Sequence, residues 1–420
     1  MSSENSRLAR RLTTFDAVAI GIGSMVGAGV FVVVTPAAEA AGTGLILGLA
    51  IAAAVAYFNA TSAARLAAAY PRSGGTYTYG RERLGHTWGF VAGWAFVTGK
   101  LASCAAIALT FGLYTNPSLA RWLGAGAVAA LTAVNYLGVR KTATATKVLV
   151  GMVVAAVVTS VVAILGGGQF ETARLTPIWG SGDVFDILRA GGFFFFAFAG
   201  YARIATLGEE VINPRTTIPR AVPIALGIAL LLYACVTLAT LGGLPANAIS
   251  QSADPVARAV DAGTLDGLAW VVRAGATIAC LGVLLSLLAG VGRTIFAMAE
   301  ERDLPVVFAS VHPKHRIPNW AGLAVGGGVT AVVLLAGVQD AIGFSSVTVL
   351  SYYAITNAAA LTLSPSERTG PAWISAAGLI GCAGLALSLP LTNVVAGLAV
   401  IGIGLVYYAW ARAIERKPTP

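Results

Sequence analysis

Apolar runs of about twenty residues recur along this chain, and runs of that length read as helices that cross a bilayer. Lipid offers no partner to a backbone amide or carbonyl. Such runs must therefore stay helical unless a break lies within protein or lines a cavity. Composition agrees. Of 420 residues, 57% are hydrophobic and 11% charged, where a soluble domain carries about 25% charged residues. Twelve segments qualify: 14–40, 43–69, 86–115, 118–138, 144–168, 186–210, 220–243, 268–299, 320–338, 340–363, 371–389 and 391–413. The fold class is all-α, a polytopic membrane protein with twelve transmembrane helices in one domain.

The net charge of +9 is explained by the positive-inside rule and does not call for a nucleic-acid partner. With Arg7, Arg10 and Arg11 on the cytoplasmic side, most other basic residues also fall in cytoplasmic loops. Both termini are then cytoplasmic, in the inner or plasma membrane. Two polar loops lie on that side, Tyr70–Gly85 and Glu301–Trp320. The segment Leu244–Gly267 on the other side is polar enough for a folded extracellular lid. The start of the chain, "RLARR" before an apolar run and "AEA" at Glu39, superficially resembles a signal peptide. The run is long for one, so cleavage is not expected. Cys104, Cys235, Cys280 and Cys382 sit in apolar runs and read as small buried hydrophobes. None has metal-ligand spacing, and neither a metal nor a cofactor is expected.

One segment breaks the pattern. "GIGSMVGAGVF" (Gly21–Phe31) places four glycines in the first run, each costing about 1 kcal/mol of helix stability against alanine. Close helix packing is one explanation, since Gly23 and Gly27 form a small-xxx-small pair. A phosphate loop is excluded, because the third glycine of a dinucleotide fingerprint and a preceding strand are both missing. The third explanation is a discontinuous helix whose unwound backbone lines a binding cavity, and it predicts a second broken span in the other half. Segment 186–210 supplies one, with Gly191, Gly192 and Gly200 around Phe193–Phe196 and Phe198. Spans one and six stand five apart, as a five-plus-five inverted repeat requires.

These stretches, with "YPRSGGTYTYGRERLG", "FFAFAGYARIATLGEEVINPRTTIPRA", "RTIFAMAEERDLP" and "VLSYYAITNAAAL", resemble the amino acid–polyamine–organocation (APC) transporter superfamily over nearly the whole chain. The resemblance implies a LeuT-like fold. Residues 14–168 and 186–363 would form the two inverted repeats, with 371–413 as peripheral helices eleven and twelve. It also implies alternating-access transport of amino acids or related amines.

An amino acid needs donors for its carboxylate and acceptors for its ammonium. Unwinding around Met25, Val26 and Gly27 would supply both. Amides near Ala28 and Gly29, at a positive helix end, would take the carboxylate, and carbonyls near Met25 the ammonium. Similarity to the family adds the carbonyls of Phe196 and Ala199 beside Gly200, with Phe198 and Tyr201 as gating or pocket residues. At least two of the five phenylalanines should only face lipid or pack in the core.

Lys100 falls near mid-membrane, about 20 Å along a helix counted from His86. An intramembrane charge is a functional hypothesis by default, with snorkelling to an interface as the alternative. In arginine-exchanging relatives, alignment puts a substrate-facing polar residue here. A charge at that depth is costly to hold, which makes Lys100 a candidate proton carrier and disfavours cationic substrates. Neutral or acidic amino acids moved by proton symport are expected, with exchange and then sodium coupling as alternatives. A lysine that some relatives carry in span five is replaced near Val153. An acidic residue that many carry in span six is replaced by Ala202, followed by Arg203. Only Ser286 in span eight offers a side-chain oxygen for sodium. Arg203, Asp16 and Glu209 are candidate gating groups. Arg203 would pair with Glu209 or Asp16, or face an aqueous vestibule. Thr13 and Asp16 should form a capping box. His312 and His315 read as loop residues. An enzyme is not expected, for no histidine lies well inside a span. Neither a channel selectivity element nor a long soluble receptor domain is visible.

Overall fold

The computed structural model describes residues 12–70, 74–138, 143–180, 182–205, 211–312, 317–365, 367–368 and 370–415. The first half of the chain holds α1 (Thr14–Met25), α2 (Ala28–Val32), α3 (Val34–Ala41), α4 (Leu45–Ala69), α5 (Thr76–Leu84), α6 (His86–Thr115), α7 (Ala120–Tyr136) and α8 (Ala143–Gly166). The second holds α9 (Val184–Phe198), α10 (Ala202–Ala205), α11 (Pro214–Gly243), α12 (Ala246–Ser250), α13 (Pro255–Asp261) and α14 (Ala269–Glu300). The last helices are α15 (Asn319–Leu335), α16 (Val338–Leu361), α17 (Trp373–Ser388) and α18 (Leu391–Glu415).

All twelve apolar segments carry helix. Among the described residues, eight stretches are long and apolar enough to cross a membrane, so the chain is a multi-pass membrane protein. α15 and α17 are shorter apolar helices. α16 has the length, but Ser345, Ser346, Thr348, Ser351, Thr356 and Asn357 dilute its hydropathy. Those side chains are buried or half-buried against protein, where hydroxyls and amides join helices. Ser345 meets Ser103 of α6 at 2.6 Å, and Asn357 donates to Asn59 of α4 at 2.6 Å. The surface that lipid would cover is apolar, as at Leu398, Val406 and Trp410 of α18. Cys104, Cys280 and Cys382 are buried as expected, but Cys235 is exposed on α11. An apolar run does not reveal which of its faces meets lipid.

Two helices begin alike. Thr13 and Asp16 cap α1 reciprocally, and Asp183 and Asp186 do the same for α9. Each box occupies amides that have no partner inside the helix. The chain then leaves regular helix partway along both segments. α1 stops at Met25, Val26 and Gly27 are not helical, and α2 restarts at Ala28. α2 and α3 are continuous in conformation, because Val33 between them is itself helical. α9 tightens after Phe198 into a 3₁₀ turn, Ala199–Tyr201, and then becomes α10. Beyond α10, Val211 pairs with Leu12 in an isolated parallel bridge, with Ile212 N donating to Leu12 O at 2.9 Å. The entry to α1 and the exit from α10 are thereby tied at one end of the bundle.

The described parts of both polar loops, and the segment expected to form a lid, make contacts with this core. In the Tyr70–Gly85 loop, α5 meets Asp303, just past α14, through Tyr77 Oη at 2.6 Å and Arg81 Nη1 at 3.4 Å. Arg412 of α18 reaches the same carboxylate at 3.3 Å. The Asp303 side chain is 1% exposed. Burial, and then the bond to Asp303, holds the Tyr77 pKa above its usual value, so the phenol stays a donor. Residues 244–267 fold as α12 and α13. Arg273 of α14 grips both Asp254 (2.9 Å) and Asp261 (2.6 Å), and Thr35 of α3 donates to Ser252 O at 3.0 Å.

Asp303→Ala leaves two arginines and a phenol without their shared acceptor. It should lower the melting temperature in detergent by the equivalent of about 3 kcal/mol, as for other broken buried ion pairs. Arg189→Ala, which removes a half-exposed pair with Asp186, should cost less than about 1 kcal/mol. Equal melting temperatures for the two variants would rule out the Asp303 clamp as a structural element.

Candidate functional site

The two interruptions face each other, and glycine makes the approach possible. A Cβ on Gly29 would lie 2.8 Å from Cα of Ala197 in α9. One on Gly200 would collide with the carbonyl of Ser24 and come within 2.8 Å of Met25 N. One on Gly27 would collide with Val283 of α14. Real side chains at Gly29 and Gly200 would push the two segments apart.

The break leaves carbonyls that lack the usual helical partner, and tyrosines reach them. Met25 O accepts from Gly27 N at 2.8 Å, closing a tight turn. Tyr233 Oη of α11 lies 2.6 Å from Met25 O and 2.9 Å from Ala197 O. One hydroxyl hydrogen thus serves one carbonyl in each interrupted segment. In the 3₁₀ turn, Ala199 O receives Tyr353 Oη of α16 at 3.3 Å and Lys100 Nζ of α6 at 3.5 Å. The lysine contact is at the outer limit of a hydrogen bond but still places a cation against a dipole. Lys100 lies midway along the 30-residue α6 and is 6% exposed, so it does not snorkel. Among the described residues no carboxylate pairs with it.

Between the interruptions lies a cavity of about 30 Å³, room for a water or two. Met25, Ala28, Gly29, Phe196 and Gly200 line it together with Lys100. Lys100 is the one charged group in that lining. Ile107, Val283 and Leu287 form an apolar wall, and Ser24 and Ser103 add hydroxyls. A second cavity of about 20 Å³ lies between α1, α8 and α14, walled by Gly23, Val26, Val153 and Val283, with Thr146 its single side-chain hydroxyl.

The remaining sequence expectations fall elsewhere. Phe198 does not line the cavity; it packs edge-on against Tyr233, with centroids 5.0 Å apart. Tyr201 is buried against Tyr353, also at 5.0 Å. The five phenylalanines Phe193–Phe196 and Phe198 are buried and of them only Phe196 reaches the cavity, whereas Phe185, near the start of α9, is exposed. Val26 belongs to the second cavity, Gly27 to the contact with α14, and Ala199 contributes through its carbonyl. Ser286 is exposed and lines neither cavity, because helical phase turns it away from α1. Asp16 pairs with Lys147 of α8 at 2.7 Å. Arg203 is half-buried in α10. Glu209 and His315 lie outside the described residues. Tyr233 and Tyr353 were not singled out from sequence. In a chain with 12 tyrosines, only their position one helix away from each interruption distinguishes them.

The family profile described as amino acid permease matches residues 12–414. An uncharacterized transporter of Mycobacterium tuberculosis is 52% identical over 410 residues, covering 98% of this chain and 93% of the relative. The branched-chain amino acid permease BcaP of Bacillus subtilis is 26% identical over 440 residues, with 97% and 94% covered. Human cationic amino acid transporter 4 is 28% identical over 409 residues, with 88% and 63% covered. The chain belongs to the amino acid permease family, within the APC superfamily.

Gly29→Val should abolish ligand-induced thermal stabilisation while the protein stays monodisperse. Gly126→Ala, where an added methyl meets nothing within 4 Å, should behave as wild type. Tyr233→Phe removes the donor shared by two buried carbonyls and should lower stability by about 1–3 kcal/mol. Full ligand response in Gly29→Val would place the binding site elsewhere.

Proposed function

We propose that this member of the amino acid permease family is a secondary transporter that moves neutral or acidic amino acids by alternating access, coupled to protons through Lys100. The observation that carries this is the meeting of two interrupted segments at a small cavity whose lining holds a single charge. Backbone amides near Ala28 and Gly29 would receive the substrate carboxylate at the positive end of the restarted helix. The carbonyls of Met25, Phe196 and Ala199 would receive its ammonium, and the wall of Ile107, Val283 and Leu287 its side chain. A cavity of about 30 Å³ is too small for an amino acid, so the walls must part to admit one. Motion of one set of helices against the other supplies that opening.

The architecture proposed with this function has twelve spans. Residues 14–168 and 186–363 form two inverted repeats of five helices in the LeuT manner, and 371–413 are peripheral. The capping boxes on α1 and α9 support such a pairing, since they stand at equivalent places in the two halves. The charge bias supports an orientation with both termini inside, in the cytoplasmic membrane. Asp16 with Lys147, together with Arg203 and Glu209, are proposed to close the cytoplasmic side. The methylthioribose transporter of Bacillus subtilis, 30% identical over 359 residues, carries a substrate that is not an amino acid by its name. Substrate class is therefore tested directly, not inherited.

Purified protein in proteoliposomes should show saturable uptake of neutral or acidic amino acids that responds to a pH gradient, with arginine a poor competitor. Lys100→Met should remain folded and lose the response to pH. Conductance without substrate would identify a channel and end the transporter proposal. An unchanged pH response in Lys100→Met would remove the lysine from coupling.

A further inference from the structure

We infer that Lys100 and the substrate's ammonium compete for the carbonyl of Ala199, so that binding an amino acid expels the lysine's proton and transport proceeds as exchange of amino acid for proton. This rests on the amino acid function proposed above and assigns the direction of its coupling.

The geometry is that of a tethered stand-in. Lys100 Nζ and Tyr353 Oη both point at Ala199 O, from 3.5 and 3.3 Å. A carbonyl oxygen offers two lone pairs. An incoming ammonium takes a place there only by displacing one of the two donors. Tyr353 is fixed, its ring against Tyr201 (5.0 Å), Tyr352 (5.1 Å) and Phe195 (5.7 Å). Lys100 ends a flexible four-carbon stem and is the donor that yields.

Once displaced, an ammonium form of Lys100 meets no carboxylate among the described residues. The titratable groups facing it are Cys104, one turn along α6 and buried, and Tyr353 from α16. Tyr352 of α16 lies beyond Phe96, with ring centroids 5.2 Å apart. From α1, α2, α9 and α14 the cavity receives uncharged side chains, among them Met25, Phe196, Val283 and Leu287. The hydroxyls of Ser24 and Ser103, which lie near Ile20 O (2.8 Å) and near Gly99 O (3.2 Å) and Ser345 (2.6 Å), can offer an ammonium a neutral oxygen but no counter-charge. The substrate's carboxylate is engaged at the restarted helix. Two ammonium groups in so small an apolar space repel, and the lysine's charge is removable. One N–H bond of Lys100 breaks, its electron pair stays on Nζ, and the proton passes to water on the side from which substrate entered. When the substrate leaves on the other side, Nζ takes a proton there and returns to Ala199 O. Proton and amino acid therefore cross in opposite directions.

The test is proton release on binding. Wild type and Lys100→Met, in detergent and weak buffer at about pH 6, where an unperturbed lysine is charged, receive each neutral amino acid singly. A pH indicator and the melting temperature are read together. Amino acids that stabilise the wild type should release close to one proton per protein. Lys100→Met should release no proton with any amino acid that stabilises it. Lys100→Arg, whose charge cannot be removed, should not bind them. In vesicles, uptake of the same amino acid should run faster with the interior acid than with the exterior acid. Stabilisation with no proton released, or with uptake of one, means that Lys100 loses no proton on binding, and the exchange mechanism is then wrong while amino acid binding stands. No stabilisation by any amino acid in wild type or Lys100→Met overturns the amino acid function on which the inference rests.

Discussion

A helix interrupted in the interior of a membrane protein exposes peptide groups where water is scarce, and every such group must find another partner. The arrangement around Val26–Gly27 and Ala199–Tyr201 follows from that constraint. Tyr233 serves Met25 O and Ala197 O, while Tyr353 and Lys100 serve Ala199 O. The donors come from three different helices, α11, α16 and α6. The interrupted segments are therefore held by their surroundings more than by their own hydrogen bonding. Glycine contributes the complementary condition, for without Gly29 and Gly200 the segments stand too far apart for one hydroxyl to reach both.

Much of this was legible in the sequence because it depends on local chemistry. Four glycines in one apolar run announce an interruption, and Thr13-x-x-Asp16 announces where that helix starts. A lysine at the middle of a run announces a site, since burying a charge there needs a purpose. Longer-range features were not legible. Phe198 and Tyr201 flank Gly200 in sequence, yet the turn directs both rings into packing against Tyr233 and Tyr353. Tyr233 and Tyr353 instead donate to the carbonyls of the interruptions, a role the sequence did not assign to any tyrosine. Ser286 shows the same limit from another direction. Its residue type suits a cation, but the phase of α14 turns it outward, and phase cannot be read from a helix apolar on nearly every side.

The polar ties sit away from the cavity, and that distribution suits a protein whose centre must open. At the end where α1 begins, Leu12 pairs with Val211 and Asp16 with Lys147. At the opposite end of the site Arg273 grips Asp254 and Asp261, joining α13 to α14. Asp303 binds α5 and α18 to the end of α14. Half-exposed pairs such as Asp16–Lys147 each contribute little and separate at little cost. The Asp303 carboxylate, at 1% exposure, is of the other kind. Losing its partners is expensive, which suits a joint that stays closed while exposed pairs exchange around it.

A coupling group needs two states of similar free energy, and the surroundings of Lys100 suit that need. A fixed carboxylate beside it would hold the proton permanently, and an entirely apolar pocket would never admit it. A single backbone carbonyl at 3.5 Å, with Phe96 at 6.0 Å from the ammonium, provides an intermediate amount of stabilisation. That stabilisation is removable, because the carbonyl supplying it belongs to the turn where a substrate ammonium would dock. A lysine held by an acid on a neighbouring helix would be indifferent to substrate. One held by the acceptor proposed for the substrate is not, and under the proposed exchange the occupancy of Ala199 O is the variable on which transport and proton movement both depend.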